Sequence, residues 1–550
     1  MTKAVLKHKE NVVELSAKGI SSLVLVQVVT KLFTFILNQG LVRFITPQVF
    51  GLAAYVELLQ STILFFSREA VRLSAQRIPQ RKTKWKSLQE TINLGFLAIV
   101  IGAPVTLVVG YVQGYRSANF QDHLLHLPFS RIAIGLLLAS VALELAIEPI
   151  YCLYQYELKF SERSKYEGVA VFVKCAVTFF GVGILSRKLF VVGNEFDGAA
   201  VLSFASGQFA YALTLAVLYS NSFVKYRNVK NLPVRYALHR VVASHSKCFD
   251  AGVLQIFKGF FVQMIFKQLL TEGDKIVISH VCTIEEQGTY AVISNYGSII
   301  ARLLFQPLEE STRLMLTKIT TAVTKTKEDT VAQSFTYIKM ISLFYFNLCL
   351  CILLAGVTNG PFLLKFMLGA RGHWADTNIF ELFALYVAYM PFLAFNGVLE
   401  AFFTSLGTSR DLQKYSLFMT LLTVAILGMS YCLISVLNLG LQGLLFANMA
   451  NMSMRIGYCF LALRNYYSAT DYKLSLRTVL HYIGPSVFTL VVVWVGQYLF
   501  VFHRESILTK DWIELGKSAI CSIYLLANLM ILERKNLSHT VAKVFKIKDL

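Results

Sequence analysis

Long apolar runs, each bounded by charged or turn-forming residues, recur from one end of this 550-residue chain to the other. A helix needs about 20 mostly apolar residues to cross the hydrocarbon core of a bilayer. Backbone groups in lipid must find their hydrogen bonds inside the segment, so runs this long are expected to become transmembrane helices. Hydropathy and helical periodicity place fourteen of them, at about 18–42, 49–67, 91–113, 131–155, 166–186, 198–220, 251–271, 287–312, 333–358, 379–406, 414–436, 440–463, 478–502 and 513–532. Composition agrees. Only 15% of residues are charged, against about 25% in a soluble domain, and the mean hydropathy is +0.57. The first run is too long for a cleavable signal peptide and no A-x-A-like site follows it, so it is expected to stay as a helix.

Two stretches echo each other in the two halves. Phe66-Ser67-Arg68-Glu69-Ala70-Val71-Arg72-Leu73 matches Gln306-Pro307-Leu308-Glu309-Glu310-Ser311-Thr312-Arg313-Leu314, with Glu69, Arg72 and Leu73 falling on Glu310, Arg313 and Leu314. Upstream, Phe50-Gly51-Leu52-Ala53-Ala54-Tyr55 has a looser counterpart in Gln287-Gly288-Thr289-Tyr290-Ala291. Six helices per half is an even number, so both halves enter the membrane in one orientation and the repeat is parallel. The expected architecture is all-α, with six-helix bundles at 1–220 and 251–465 around a central cavity. A basic cytosolic linker at 221–250 joins them, and 466–550 adds two helices and a basic tail.

A net charge of +20 would suggest nucleic acid in a soluble protein. Here the Lys and Arg residues concentrate in the loops after even-numbered helices and in both tails, most densely from Arg77 to Lys86. The positive-inside rule then puts both termini in the cytosol. Membrane lipids, not nucleic acid, are the expected contacts of this charge. The nine cysteines show no metal-ligand spacing and no lumenal disulfide framework. No catalytic residue, metal or cofactor is implied, and there is no Walker A sequence.

Ionisable side chains at bilayer depth cost about 2.5–3.5 kcal/mol on insertion scales and should face protein or water. Several segments carry such residues on one face. The first has Gln27, Lys31, Thr34 and Asn38 within about 60° at 100° per residue. The second has Glu57, Ser61, Arg68 and Arg72, and the fourth has Glu144, Glu148, Tyr151 and Gln155 beside Pro149. The eighth has Asn295, Ser298, Arg302, Gln306, Glu309 and Arg313; the tenth has Asn396 and Glu400; the twelfth has Asn448, Asn451 and Arg455. Lys31, Arg43, Arg68 and Arg72 could neutralise a diphosphate, since guanidinium binds phosphate oxygens bidentately. With Asn38, Arg302, Gln306 and Arg313 they form the expected substrate-binding set. Glu57, Glu69, Glu144, Glu148, Glu309, Glu310 and Glu400 are read as cavity acids or as ion-pair partners that hold a bundle together.

These motifs resemble the Rft family of endoplasmic-reticulum oligosaccharide-lipid translocation proteins, within the multidrug, oligosaccharidyl-lipid and polysaccharide flippase superfamily. The resemblance spans essentially the whole chain. It rests on Lys31–Asn38, Ser67–Arg72, Glu144–Pro149, Lys267–Lys275, Tyr290–Glu310, Asn396–Glu400 and Ala447–Ile456. Position 31 is Lys where the family is expected often to place Arg. The resemblance implies translocation of the Man5GlcNAc2-diphosphodolichol intermediate from the cytosolic to the lumenal leaflet for protein N-glycosylation, by alternating access. It also implies a dolichol-linked oligosaccharide lipid as partner, and glycosylation-pathway proteins as further candidates. Lys546-Ile547-Lys548-Asp549-Leu550 fits a K-x-K-x-x retrieval pattern, and the sequon at Asn536 is expected to be unused on the cytosolic side.

Two alternatives stay open on the residues alone. One is a non-transporting accessory that binds the same lipid or supports the glycosylation machinery. A second is a cation-coupled drug or metabolite antiporter with Glu144 and Glu148 as its ion site. A membrane glycosyltransferase is disfavoured, because the loop at 43–50 holds no acidic residue and the loop at 114–130 only Asp122.

Overall fold

The computed structural model describes residues 36–79, 84–117, 119–157, 159–186, 194–229, 233–239, 248–321, 327–369, 374, 377–468 and 476–548. Among these every regular element is a helix. Ten helices are long and apolar enough to cross a membrane, or eleven when a bent pair within residues 251–281 is taken as one span. The expected count of fourteen is not reproduced, for two reasons. Most of the 18–42 segment lies outside the described residues. The regions 284–321 and 440–468 are helical but do not qualify as spans by length and composition.

The chain divides into two compact units, Met1–Gly288 and Thr289–Leu550. The first holds α1 (Pro47–Ala75), α2 (Lys84–Val109), α3 (Ser130–Tyr156), α4 (Phe160–Phe180), α5 (Asn194–Val229) and α6 (Ala251–Val281), and it ends inside α7 (Ile284–Ile300). Helix α1 starts where chemistry dictates. Thr46 caps it by accepting from the Val49 amide at 3.2 Å, and Pro47 opens the first turn with no amide to satisfy. It ends eight residues past the expected 67, at Ala75, so Arg68, Glu69 and Arg72 are helix-interior residues. Helix α6, which the sequence places at the head of the second bundle, packs against α1 in the first unit.

Helices α2 and α3 meet where Gly95 faces the kink-former Pro149. A Cβ at Gly95 would lie 2.4 Å from the Pro149 Cα. Small residues let membrane helices approach this closely. Gly95→Ala is therefore expected to destabilise the first unit by about 1–3 kcal/mol, the usual effect of overpacking. The midpoint of thermal unfolding in detergent checks this, and an unchanged midpoint contradicts the contact.

The second unit comprises α8 (Gln306–Thr321), α9 (Lys327–Leu368), α10 (Ile379–Leu406), α11 (Ser409–Tyr431), α12 (Gly440–Ser468), α13 (Leu476–Phe500) and α14 (Trp512–Lys548). Helix α10 packs against α8, α9 and α12. The last two helices dock on α9 through Leu350, Leu354, Leu490, Val493, Leu525 and Leu529. Thr509 pins their connection to α9 with a 2.7 Å bond to Asn359. Ahead of α8, a π-helical turn at Ala301–Phe305 breaks the α-helical register. Such turns are short and often sit at functional positions.

Candidate functional site

Helix α1 carries four charged side chains, and each pairs with a residue on a neighbouring helix. Glu57 accepts from Lys174 Nζ of α4 at 3.1 Å. Arg68 meets Glu144 of α3 at 2.8 Å. Glu69 lies 3.2 Å from Lys267 Nζ of α6. Arg72 binds Glu148 of α3 through Nε and, at 2.7 Å, through Nη2. The two arginines and the two glutamates each stand four residues apart, so α1 and α3 run in the same direction and form two rungs of a ladder.

The rungs are unequal. Arg72 makes a bidentate contact, and its guanidinium lies 3.7 Å from the centroid of the Tyr151 ring. Arg163 approaches the same ring at 4.2 Å and donates to the Tyr151 hydroxyl. The Glu148 side chain is 1% exposed. Arg68, by contrast, offers a single contact and its side chain is 26% exposed. Glu144 has a second anchor, because Gln60 donates to its Oε1 at 3.1 Å while also reaching Ser140 at 2.9 Å. The lower rung is thus locked, and the upper one holds a carboxylate that keeps a partner when Arg68 lets go.

The second unit treats the echoed residues differently. Arg313, the counterpart of Arg72, folds onto Glu309 of its own helix at 2.9 Å. The Glu309 carboxylate lies against Gly397 of α10, where a Cβ would be 2.7 Å from Oε2. Glu400 joins α10 to α12 through Arg455 at 2.7 Å, and Asn396 donates to Glu400 at 3.5 Å. Arg302, in the π turn, curls back along its helix. Its Nη2 reaches the Asn295 carbonyl at 2.9 Å, the Asn295 Oδ1 at 3.1 Å and the Ser298 hydroxyl at 2.8 Å. Asn38, Gln306 and Glu310 are exposed, as is Arg43 at the end of a helical run over 36–42. Lys31 lies outside the described residues.

Sequence reasoning missed Lys174 and Lys267, the partners of Glu57 and Glu69. It also missed a clamp on the linker. Gln89 and Asn93, buried one turn apart on α2, bind the backbone of residues 233–239. Gln89 donates to the carbonyls of Arg235 and Ala237 at 3.0 and 2.9 Å and accepts from the Arg235 amide at 2.8 Å. Asn93 donates to the carbonyls of His239 and Cys248 at 2.6 and 2.9 Å and accepts from the His239 amide at 3.1 Å. Two buried amides spaced four apart on an apolar helix were the available signal, since buried polar groups require partners.

The sequence profile of the Rft protein family matches residues 15–543. The Man(5)GlcNAc(2)-PP-dolichol translocation protein of Candida albicans is 48% identical over 543 residues, covering 96% of this chain and 95% of that protein. Its counterpart in Saccharomyces cerevisiae is 35% identical, covering 83% and 84% respectively. Among solved structures, the lipid II flippase MurJ in an inward closed conformation aligns with a TM-score of 0.59 at 14% identity, over 94% of this chain and all of MurJ. At that identity the likeness shows a shared fold. The near-complete match in both directions to proteins of one kind settles the family: the chain belongs to the Rft proteins.

Proposed function

We propose that this chain translocates Man(5)GlcNAc(2)-PP-dolichol from the cytosolic to the lumenal leaflet of the endoplasmic-reticulum membrane, in support of N-glycosylation. The observation that carries this reading is the 48% identity, over nearly the full length of both chains, to a translocation protein named for that lipid. The lipid's headgroup is anionic and sugar-rich while its polyprenyl tail is apolar. Transport then requires charged and polar groups at bilayer depth, alternately reachable from each leaflet. Arg68 is the residue best suited to the diphosphate. It is the more exposed of the two ladder arginines, and its carboxylate partner is held independently by Gln60. The distribution of Lys and Arg supports a cytosolic location for both termini.

Depletion of the protein in its own cells is the first test. Accumulation of the five-mannose lipid, with underglycosylated secretory proteins, is the expected result, and an unchanged lipid profile overturns the reading. Reconstituted vesicles then separate transporter from accessory. A transporter accelerates headgroup crossing of labelled lipid, whereas an accessory binds the lipid and leaves the crossing rate at that of protein-free vesicles.

A further inference from the structure

Near the start of α1, the backbone of one helix touches that of another without any side chain between them. A Cβ on Gly51 would lie 1.9 Å from the Ile284 carbonyl oxygen and 3.0 Å from the Gly288 amide nitrogen. A Cβ on Gly288 would lie 2.0 Å from the Pro47 carbonyl oxygen and 2.8 Å from the Gly51 amide nitrogen. The contact is reciprocal. Each glycine meets the other, together with the carbonyl four residues before it. Both residues fall within the first compact unit, and they stand at matching places in the echo between Phe50–Tyr55 and Gln287–Ala291. Neither has a positive φ, so glycine is required here for proximity and not for backbone conformation.

Such a crossing is close but weakly bonded. Backbone contacts through Cα–H groups contribute about 0.5–1 kcal/mol each, and glycine supplies no side chain to interlock. By contrast, the opposite end of α1 is held by the Arg72–Glu148 pair. One end of the helix is therefore fastened by buried charge, while at the other the crossing is backbone on backbone, beside the apolar cluster that holds Leu52 and Ile284.

We propose that the Gly51–Gly288 crossing is a separable seal, closed in this structure and parted when the lipid headgroup passes. The proposal rests on the translocation reading above. On the topology given there, this end of α1 faces the lumen, opposite the leaflet where the headgroup is presented.

The test ties the crossing shut. Gln48 and Glu285 are exposed, each one residue past a carbonyl in the contact, and Gln48→Cys with Glu285→Cys supplies two thiols for a cleavable bis-methanethiosulfonate linker. Native Cys282 is buried beside them, and burial pushes its thiol up to about 12, which keeps it protonated and slow to react. The native chain treated in parallel accounts for the remaining cysteines. Linking is expected to lower headgroup translocation in vesicles at least tenfold, with recovery on adding dithiothreitol. Translocation at the unlinked rate after linking overturns the seal. Spin labels at the same two positions give a readout independent of transport. Two separations in lipid bilayers are expected, with Gly288→Ala holding only the longer one. A single short separation, with and without the lipid-linked oligosaccharide, overturns the proposal. If two separations appear in a protein that translocates nothing, the seal stands and the translocation reading fails.

Discussion

Replacing Arg72 by Ala is expected to destabilise the first unit by about 3–5 kcal/mol, because it leaves a buried carboxylate without its counter-charge. Glu148 has a side-chain exposure of 1%, and among its described contacts only Arg72 brings it positive charge. Glu148→Ala should cost a similar amount by stranding the guanidinium. The double variant Arg72→Met, Glu148→Leu removes both charges at similar volume and should recover most of the loss, since a buried pair is often replaceable by apolar packing. Arg72→Lys should recover little. An ammonium makes neither the bidentate fork nor the planar contact 3.7 Å above Tyr151. The midpoint of thermal unfolding in detergent measures all four. If the single and double variants unfold together, the lower rung carries no stability.

The ladder also shows how far the sequence reached. Periodicity alone put Glu144 and Glu148 on one face, and Arg68 and Arg72 on one face of another helix. Whether they served a ligand or each other depended on which helices pack, which no single segment encodes. The apolar span of helix α1 was bounded at about 67, although periodicity already put Arg68 and Arg72 on its polar face. The helix continues to Ala75 because neighbouring helices supply a partner for each charge, a tertiary override of local hydropathy. The echoed pair Glu310 and Arg313 was visible as sequence, yet the arginine pairs with Glu309, one turn back on its own helix. The segment 221–250 looked like a plain basic linker because much of what holds residues 233–239 is their backbone amides and carbonyls, which carry no residue signature, with Val234 and Tyr236 as the side chains that also dock. Gly51 and Gly288 were noted only as part of an echo. Their meaning lies in a distance between helices.

The upper rung allows a prediction of opposite sign for its two members. If Arg68 contacts the diphosphate, the carboxylate of Glu144 competes with the lipid for the same guanidinium. Glu144→Gln preserves the shape and the hydrogen bond from Gln60 while removing the competing charge, so binding of the lipid-linked oligosaccharide should tighten. A charge-assisted hydrogen bond contributes about 1.5–3 kcal/mol, which corresponds to roughly tenfold or more in affinity. Arg68→Ala should weaken binding by a similar factor, and the effect should shrink at high salt only to the extent that the site is solvated. A purely architectural ion pair predicts something else: either substitution disturbs the same contact, so both weaken binding, in step with lost stability. Titrating the purified variants with labelled lipid, alongside their unfolding midpoints, separates the two accounts. Tighter binding in Glu144→Gln with weaker binding in Arg68→Ala assigns the headgroup to the upper rung. Parallel losses in both variants assign the pair to the scaffold, with the diphosphate bound elsewhere.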